Sequence, residues 1–348
     1  MNMKRTYIIL LATITIIITV FVSLLNFNNT INNELYPIRQ NNKWGYMNSE
    51  GEIVIKPEYF SVNNFYDELA LVSFEREKTN SAKYINSLGE LVIDKPYIGA
   101  RSFSEGLATV KVGDYLNGKY GYIDTTGNIA IEPKYDLAFD FSEGLALVVL
   151  ENEYKYIDKD GNIIIELDAD YALSFSEGLA AYSKEEKFGY IDKSGKTVIE
   201  PQYDLADSFY EDYALIRNGN TDTGKIGYID KSGNFLVEPI FKTAYPFSEG
   251  LALAMLKEKW GYGYIGTDGK CVIEPDYQYG GEFSEGLAPV RFEDTMLYGY
   301  INKKGKVVIE PQFIEAYPFN KGLANVISED KEFGYINKKG KYIWKEGN

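Results

Sequence analysis

The chain has 348 residues, with 51 acidic and 36 basic side chains, one cysteine and no histidine. The absence of histidine excludes Ser-His-Asp and Cys-His catalysis and His-ligated zinc, and a single cysteine excludes an intramolecular disulfide framework. The net charge of −15 argues against nucleic acid as a partner, because nucleic-acid binding needs clustered lysine and arginine.

The first element is an uncharged apolar run from Tyr7 to Leu25. As a helix it reaches about 28 Å, close to the thickness of a bilayer's hydrocarbon core. Lys4 and Arg5 precede the run, and a positive flank stays in the cytoplasm. A cleaved signal peptide is the alternative, but small residues are not well placed for cleavage. We therefore predict a cytoplasmic basic tip over residues 1–6, an uncleaved transmembrane signal anchor over 7–25, a tether over 26–34 and an extracytoplasmic array over 35–348.

The stretch Lys187–Pro201 is the pattern from which the array is built. Phe188 to Asp192 is rich in aromatic and β-branched residues, which favours a strand. Asp192 to Gly195 supplies turn chemistry, and a second β-prone run follows until Pro201, which cannot continue a strand ladder. The stretch therefore predicts a β-hairpin.

Copies of this hairpin follow one another along the chain. Most are preceded by a complete or weakened Phe-Ser-Glu-Gly-Leu-Ala block and a further apolar run, which we interpret as a third strand. We predict an all-β protein of nine tandem, three-stranded antiparallel units of about 36 residues, with the spacer as a possible fourth strand. The turn glycines that define units 1 to 9 are Gly51, Gly89, Gly127, Gly161, Gly195, Gly233, Gly269, Gly305 and Gly340.

At these residues the chain resembles the WG-repeat (KWG) family. Unit 1 contains Lys43-Trp44-Gly45-Tyr46, and unit 5 contains the related Lys187-Phe188-Gly189-Tyr190. The resemblance covers about residues 35–348. Departures include Lys83 and Lys155 at the glycine position, and Leu167 in a unit without its proline. The resemblance implies a bacterial β-repeat module and no settled activity.

Two architectures fit such an array. One is an open β-repeat superhelix, and the alternative is a closed β-propeller. Nine units exceed the usual four to eight blades, and no split blade joins the two ends. We therefore expect the open superhelix, preceded by one transmembrane helix.

Two acidic motifs are interpreted as structural. Asp158-Lys159-Asp160-Gly161 resembles the start of a calcium loop, but other units place lysine in the same turn, so a hairpin turn is expected. The glutamate of Phe-Ser-Glu-Gly recurs in register, whereas an active site is one asymmetric constellation, so we expect a turn residue. No catalytic residue, metal site or cofactor is predicted.

One row of basic residues is the candidate ligand-binding site. These residues occupy the same register, just after the valine-like position of the first strand, and arginine can hold an anionic ligand in a bidentate manner. The alternative is surface charges paired with nearby acids. The row consists of Arg39, Lys111, Arg217 and Arg291.

The sequence thus favours a membrane-anchored extracytoplasmic protein that binds or scaffolds an envelope protein or a glycan. A cell-wall glycan enzyme that uses carboxylates and a purely structural spacer are the alternatives. An enzyme predicts unrepeated acids in one pocket with a raised pKa, a binder predicts an apolar or aromatic patch, and a spacer predicts neither.

Overall fold

A computed structural model describes residues 34–74, 82–114, 116–220, 222–257 and 261–347. Within these ranges the chain forms strands and turns and contains no helix. No helix that could cross a bilayer is therefore found in the described residues. The predicted tip, the anchor and the tether up to residue 33 lie outside them.

The strands follow the predicted units in chain order. In units 1 to 3 they are β1 (Tyr36–Gln40), β2 (Lys43–Met47), β3 (Ile53–Tyr59), β4 (Ser61–Val62), β5 (Ala70–Ser73), β6 (Ala82–Ile85), β7 (Leu91–Tyr97), β8 (Phe103–Ser104), β9 (Leu107–Val112), β10 (Lys119–Asp124) and β11 (Ile129–Tyr135). In units 4 to 6 they are β12 (Leu137–Ala138), β13 (Ala146–Leu150), β14 (Glu153–Ile157), β15 (Ile163–Leu167), β16 (Tyr171–Ala172), β17 (Leu179–Lys184), β18 (Lys187–Asp192), β19 (Thr197–Tyr203), β20 (Leu205–Tyr210), β21 (Tyr213–Asn218), β22 (Lys225–Asp230) and β23 (Phe235–Phe241). In units 7 to 9 they are β24 (Ala244–Ser248), β25 (Leu251–Lys257), β26 (Gly261–Gly266), β27 (Cys271–Gly280), β28 (Leu287–Phe292), β29 (Tyr298–Asn302), β30 (Val307–Ala316), β31 (Leu323–Ser328), β32 (Phe333–Asn337) and β33 (Tyr342–Lys345).

Each unit is an antiparallel meander. The three predicted strands are present, and in units 2 to 6 the spacer adds a fourth strand at the sheet edge, as β4-β5-β6-β7 illustrates. In the last three units the third strand and the next spacer merge into β27 and β30, so that ten strands form one continuous sheet. The tandem all-β architecture that the sequence predicts is therefore confirmed.

The core lies between units rather than within them. The second strand of each unit carries neighbouring Tyr and Ile, which point to opposite faces of the sheet. In unit 5 Tyr190 and Ile191 are both fully buried, and Tyr190 shares a core with Phe209 and Ile229 of unit 6. The described residues form nine such cores, each shared by two adjacent units.

A buried tyrosine hydroxyl connects each unit to the next. Tyr190 donates a hydrogen bond to the carbonyl of Asp207, 2.8 Å away, and its ring packs against Phe209 at 4.8 Å. The same pair of contacts recurs in units 1 to 8, always with a carbonyl 17 residues later in the chain. The donors are Tyr46, Tyr84, Tyr122, Tyr156, Tyr190, Tyr228, Tyr264 and Tyr300.

The ninth core joins unit 9 to unit 1. It contains Tyr36, Ile38 and Met47 from the start of the array together with Tyr335 and Trp344 from its end. Nearby, Arg39 forms a two-point ion pair with Glu346, with contacts of 3.2 and 3.0 Å. Side-chain packing therefore brings the two ends of the array into contact.

The junction between units 9 and 1 has its own pair of charges. At five other interfaces the glutamate of the complete or weakened Phe-Ser-Glu-Gly block accepts a hydrogen bond from the N–H of the glycine in the next unit's block, as Glu143 does from Gly178 at 3.0 Å. At the junction Lys321 stands in the glutamate position and Glu34 in the glycine position. Their side chains form an ion pair at 2.9 Å. This reversed pair distinguishes the junction from every other interface.

The expectation of an open superhelix is corrected by these contacts. The individual sheets remain open, and within the described residues no strand ladder joins β1–β3 to β31–β33. The succession of units nevertheless returns to its start, as the alternative β-propeller requires. A split blade is the usual sequence signal of closure. Within the described residues, side chains rather than a shared sheet connect the two ends.

Candidate binding surface

The four predicted basic residues do occupy one register. Each lies directly opposite the second residue of the Lys-Trp-Gly-Tyr pattern on the neighbouring strand, and opposite residues share one face of a sheet. The cross-strand pairs are Arg39 with Trp44, Lys111 with Tyr120, Arg217 with Ile226 and Arg291 with Tyr298.

The structure does not gather the four into one pocket. They belong to units 1, 3, 6 and 8, and each has its own cross-strand neighbours. Arg39 connects unit 1 to unit 9, because its guanidinium binds Glu346. The same group lies 6.0 Å from the centre of the Trp44 ring within unit 1. The Lys111 amine lies 5.5 Å from the centre of the Tyr120 ring.

Arg217 is enclosed by its neighbours. It lies between Leu205 and Ile226 on the adjacent strands, and its Nε is buried without a hydrogen-bond partner among the described residues. Asp204 lies nearby. Its pKa is lowered mainly by hydrogen bonds from Lys187 and the N–H of Gly219, with a smaller electrostatic contribution from Arg217. Arg217 is therefore flanked by apolar residues on both neighbouring strands.

Of the four basic residues, Arg291 is the one with tyrosines on both neighbouring strands. It lies between Tyr279 and Tyr298, its two cross-strand neighbours, and Tyr279 is stacked on Tyr262 with ring centres 5.8 Å apart. Burial raises the pKa of Tyr298, and the positive charge of Arg291 opposes that rise. We call Tyr262, Tyr279, Arg291 and Tyr298 the Arg291 platform.

The Arg291 guanidinium is held in place without being neutralised by an ion pair within the described residues. Its Nε donates a hydrogen bond to the carbonyl of Met296 at 2.8 Å, which fixes one edge of the planar group. The ring of Tyr279 beside it is 37% exposed. A positioned arginine beside exposed aromatic faces offers both stacking area and a planar set of donors.

A family model described as "WG containing repeat" matches eight successive segments that cover well over half of the chain: 44–75, 84–115, 120–154, 156–188, 188–221, 226–260, 262–295 and 298–331. The chain belongs to the WG-repeat family. Each matched segment starts near the second strand of one WG unit and runs into the next unit. The eight segments therefore correspond to the eight interfaces that the chain itself connects, and the junction is the ninth.

Solved structures with similar folds share little sequence with this WG-repeat chain. BamB from Moraxella catarrhalis aligns with a TM-score of 0.48 and 10% identity over 88% of this chain and 100% of its own. Hsv2 from Kluyveromyces lactis aligns with a TM-score of 0.42 and 10% identity over 81% of this chain and 94% of its own. A comparison with curated proteins gave no match.

The repeated glutamates of the WG units connect neighbouring units. Glu143 adopts the left-handed conformation at φ 56° in its turn. Its carboxylate accepts the N–H of Gly178 and binds the Lys193 amine at 3.0 Å. Burial tends to raise the pKa of Glu143, but the contacts with Lys193 and Gly178 lower it overall. A catalytic acid needs the opposite shift, so this row is structural, as predicted.

The Asp158 turn also has a structural role. Its carboxylate accepts hydrogen bonds from the N–H groups of Asp160 and Asn162, at 3.0 and 2.8 Å, which is the local bonding that favours Asp in turns. Within the described ranges no cluster of potential metal ligands is present.

Sequence reasoning missed a polar cleft of about 480 Å³ that spans units 2 to 4. It is lined by Asn63, Tyr66, Arg101, Ser102 and Asp140, among others, and the Arg101 guanidinium lies 5.8 Å from the centre of the Phe139 ring. These residues belong to the spacers, which differ from unit to unit and so give no repeat signal. The available sequence signal was Arg101 itself, because no other spacer has a basic residue two positions before its phenylalanine.

Proposed function

We propose that this WG-repeat protein is a non-enzymatic binding or scaffold protein of the cell envelope, anchored by residues 7–25, and that the Arg291 platform contacts its partner. The observation that carries the proposal is the placement of Arg291 between two tyrosines, with Tyr279 exposed beside it. Tyrosine and arginine are the side chains that most often dominate the energy of protein interfaces.

The chemistry of the platform favours an acidic segment of another envelope protein. The array carries an excess of acidic residues, so an isolated basic group is a local attraction point for a carboxylate on an otherwise repulsive surface. The stacked Tyr262 and Tyr279 add apolar area beside it. A glycan is the second candidate, because tyrosines such as Tyr245 and Tyr317 also expose their rings.

An enzymatic role lacks support from the carboxylates. Glu143, Glu249 and Glu285 are all held by lysines and by backbone N–H groups of neighbouring units, and the pKa of each is lowered despite partial burial. Glycoside hydrolysis needs a carboxylic acid with a raised pKa opposite a second carboxylate. Repeated glutamates that connect neighbouring units and have lowered pKa values fit a scaffold better than an enzyme.

The predicted location can be tested with Cys271, the only cysteine of the chain. Its side chain is exposed on β27. If the array lies outside the cytoplasmic membrane, a membrane-impermeant maleimide should label Cys271 in intact protoplasts to the same extent as after lysis. A Cys271→Ser variant provides the blank. Labelling that requires lysis would place the array in the cytoplasm and contradict the proposal.

The Arg291 platform can be tested by incorporating a photoreactive amino acid at Tyr279 and illuminating cells. We expect one dominant protein adduct, reduced about 30-fold by Arg291→Ala because an interface hot spot contributes about 2 kcal/mol. Lys306→Ala is the matched control, since it removes one positive charge from an exposed turn of the same unit. Equal capture by both variants would exclude Arg291, and an adduct with glycan alone would favour the second candidate.

A further inference from the structure

The polar cleft of units 2 to 4 contains two opposite charges that the repeat does not explain. Its volume of about 480 Å³ falls within the range of small-molecule sites. The spacers of three successive units line it: Asn63 and Tyr66 come from unit 2, Arg101 and Ser102 from unit 3, and Asp140 from unit 4. We call it the Arg101 cleft.

Three residues of this cleft depart from the repeat at their positions. Tyr66 follows the spacer phenylalanine, where five other units have a serine. In unit 4 that serine, Ser142, donates to the carbonyl of Phe175 at 2.8 Å, whereas Tyr66 is 50% exposed. Arg101 and Asp140 stand two positions and one position before the phenylalanine, where units 5 and 6 have no basic residue and a serine, respectively. Residues that serve the repeat recur with it, so these exceptions favour a local role.

The backbone of Arg101 is fixed by two hydrogen bonds. Its carbonyl accepts the hydroxyl of Tyr84 at 2.7 Å, and its N–H donates to the carbonyl of Thr109 at 3.0 Å. The guanidinium lies 5.8 Å from the centre of the Phe139 ring, and within the described ranges it has no ion-pair partner. A guanidinium on an aromatic face retains its planar set of donors, so Arg101 is positioned to bind an anion.

Asp140 supplies the opposite charge. Its carboxylate accepts the hydroxyl of Thr109 at 3.3 Å, and it forms no ion pair with another described residue. Burial is the main cause of the raised pKa of Tyr122, and Asp140 adds to that rise whereas Arg101 opposes it. Both charges therefore act on one hydroxyl and lie in one small region of the cleft.

Neutral polar groups and one aromatic ring complete the cleft. The side-chain Nδ2 of Asn63 donates to the hydroxyl oxygen of Ser102 at 3.0 Å, which orients both side chains. An amide oxygen accepts hydrogen bonds and a serine hydroxyl also donates one, so the pair offers both kinds of group to a ligand. The exposed ring of Tyr66 adds a face that attracts cations as well as apolar groups.

We propose that the Arg101 cleft binds a small zwitterion, a free amino acid or a short peptide, with its carboxylate on Arg101 and its ammonium group on Asp140. A ligand with a negative charge alone would be repelled by Asp140, and a cation alone would be repelled by Arg101. A ligand that carries both charges satisfies both side chains. The proposal goes beyond the proposed function and does not depend on it, because the Arg101 cleft and the Arg291 platform belong to different units.

Isothermal titration of the full-length protein in detergent micelles tests the proposal, with alanine and trialanine as probes. We expect binding of at least one of them. The N-acetylated and the C-amidated forms of that probe should each bind about 30-fold more weakly, because each lacks one charge-assisted contact. Tighter binding of alanine would identify a free amino acid as the source of the zwitterion, and tighter binding of trialanine would identify a peptide. The blocked probes test the proposal on the unmodified protein, whatever a substitution does to folding.

Substitutions assign each charge of the probe to its residue. Arg101→Ala should weaken binding of the unblocked probe by the same factor as amidation, and amidation should cause no further loss in that variant. Asp140→Asn should show the same relation to N-acetylation. Glu282→Gln is the matched control and should leave the affinity unchanged, because Glu282 is the exposed acid in the register of Asp140 in unit 8. Absence of binding for both probes, or equal binding of blocked and unblocked forms, would overturn the proposal.

Discussion

Replacing Gly121 with alanine is expected to destabilise the protein by roughly 3 kcal/mol, a value typical of side chains forced into a filled space. Gly121 is the glycine of the Lys-Trp-Gly-Tyr pattern in unit 3. An added Cβ would lie 2.6 Å from the carbonyl oxygen of Ile131 and 2.7 Å from the nitrogen of Pro133. Both are backbone atoms, which cannot rotate away, so β11 would have to move.

This close approach is produced by a bulge. Tyr120 pairs with Tyr135 and Tyr122 with Ile131, so one residue of β10 faces three of β11. Pro133 lies within the bulge, where its missing N–H leaves no ladder position unfilled. The extra residues bend β11 over Gly121, where the absent side chain leaves room for them. In unit 2 a bulge of the same length faces Lys83, but its proline stands one residue later in the strand.

Unit 4 provides the matched control. Its third strand lacks the proline, and Tyr154, Lys155 and Tyr156 pair in regular register with Leu167, Glu166 and Ile165. Lys155→Ala should therefore shift the urea midpoint far less than Gly121→Ala does, although it loses the ion pairs of Lys155 with Glu153 and Glu166. Equal midpoint shifts, measured by circular dichroism, would contradict the bulge explanation.

The same comparison shows what the repeat pattern could predict. The hairpins, the turn glycines and the third strand follow from local residue types, because each unit repeats its own turn and strand chemistry. Lys155 and Leu167 were visible as two departures from the pattern. Their connection required the strand register, because the two residues lie on different strands, β14 and β15, that pair with each other.

The repeat pattern could not predict closure of the ring, for a similar reason. Repeats report what each unit has in common, whereas the junction depends on residues that differ from the consensus. Lys321 and Glu34 are exceptions at their positions, and their ion pair connects residues from opposite ends of the array. The basic row was correctly placed in one register. Its aromatic neighbours, Tyr279 above all, lie on other strands and became apparent only from strand pairing.

Raising the pH above about 10 is expected to unfold the protein over a narrow range. The hydroxyls of the eight tyrosines that connect units 1 to 8 are largely buried. Burial is the largest cause of the raised pKa in every case. In the unfolded chain they titrate near the ordinary value of about 10. The folded state therefore keeps protons that the unfolded state releases, and stability falls as pH rises through 10.

The size of the effect follows from the number of coupled protons. Each such tyrosine lowers the free energy of unfolding by about 1.4 kcal/mol per pH unit above 10. Eight that unfold together remove about 11 kcal/mol per unit, which is comparable to the whole stability of a typical domain. The transition should therefore be complete within about one pH unit.

Parallel titrations at constant ionic strength test this coupling. Tyrosinate absorbance should rise gradually as exposed tyrosines ionise and then jump in the same pH interval in which the β-sheet circular dichroism is lost. Tyr190→Phe should make the transition less steep by one proton, whereas Tyr210→Phe, which alters an exposed ring, should not. Gradual ionisation of all tyrosines with the sheet signal intact would mean that these hydroxyls are accessible in the folded ring. The core between units would then not depend on their hydrogen bonds.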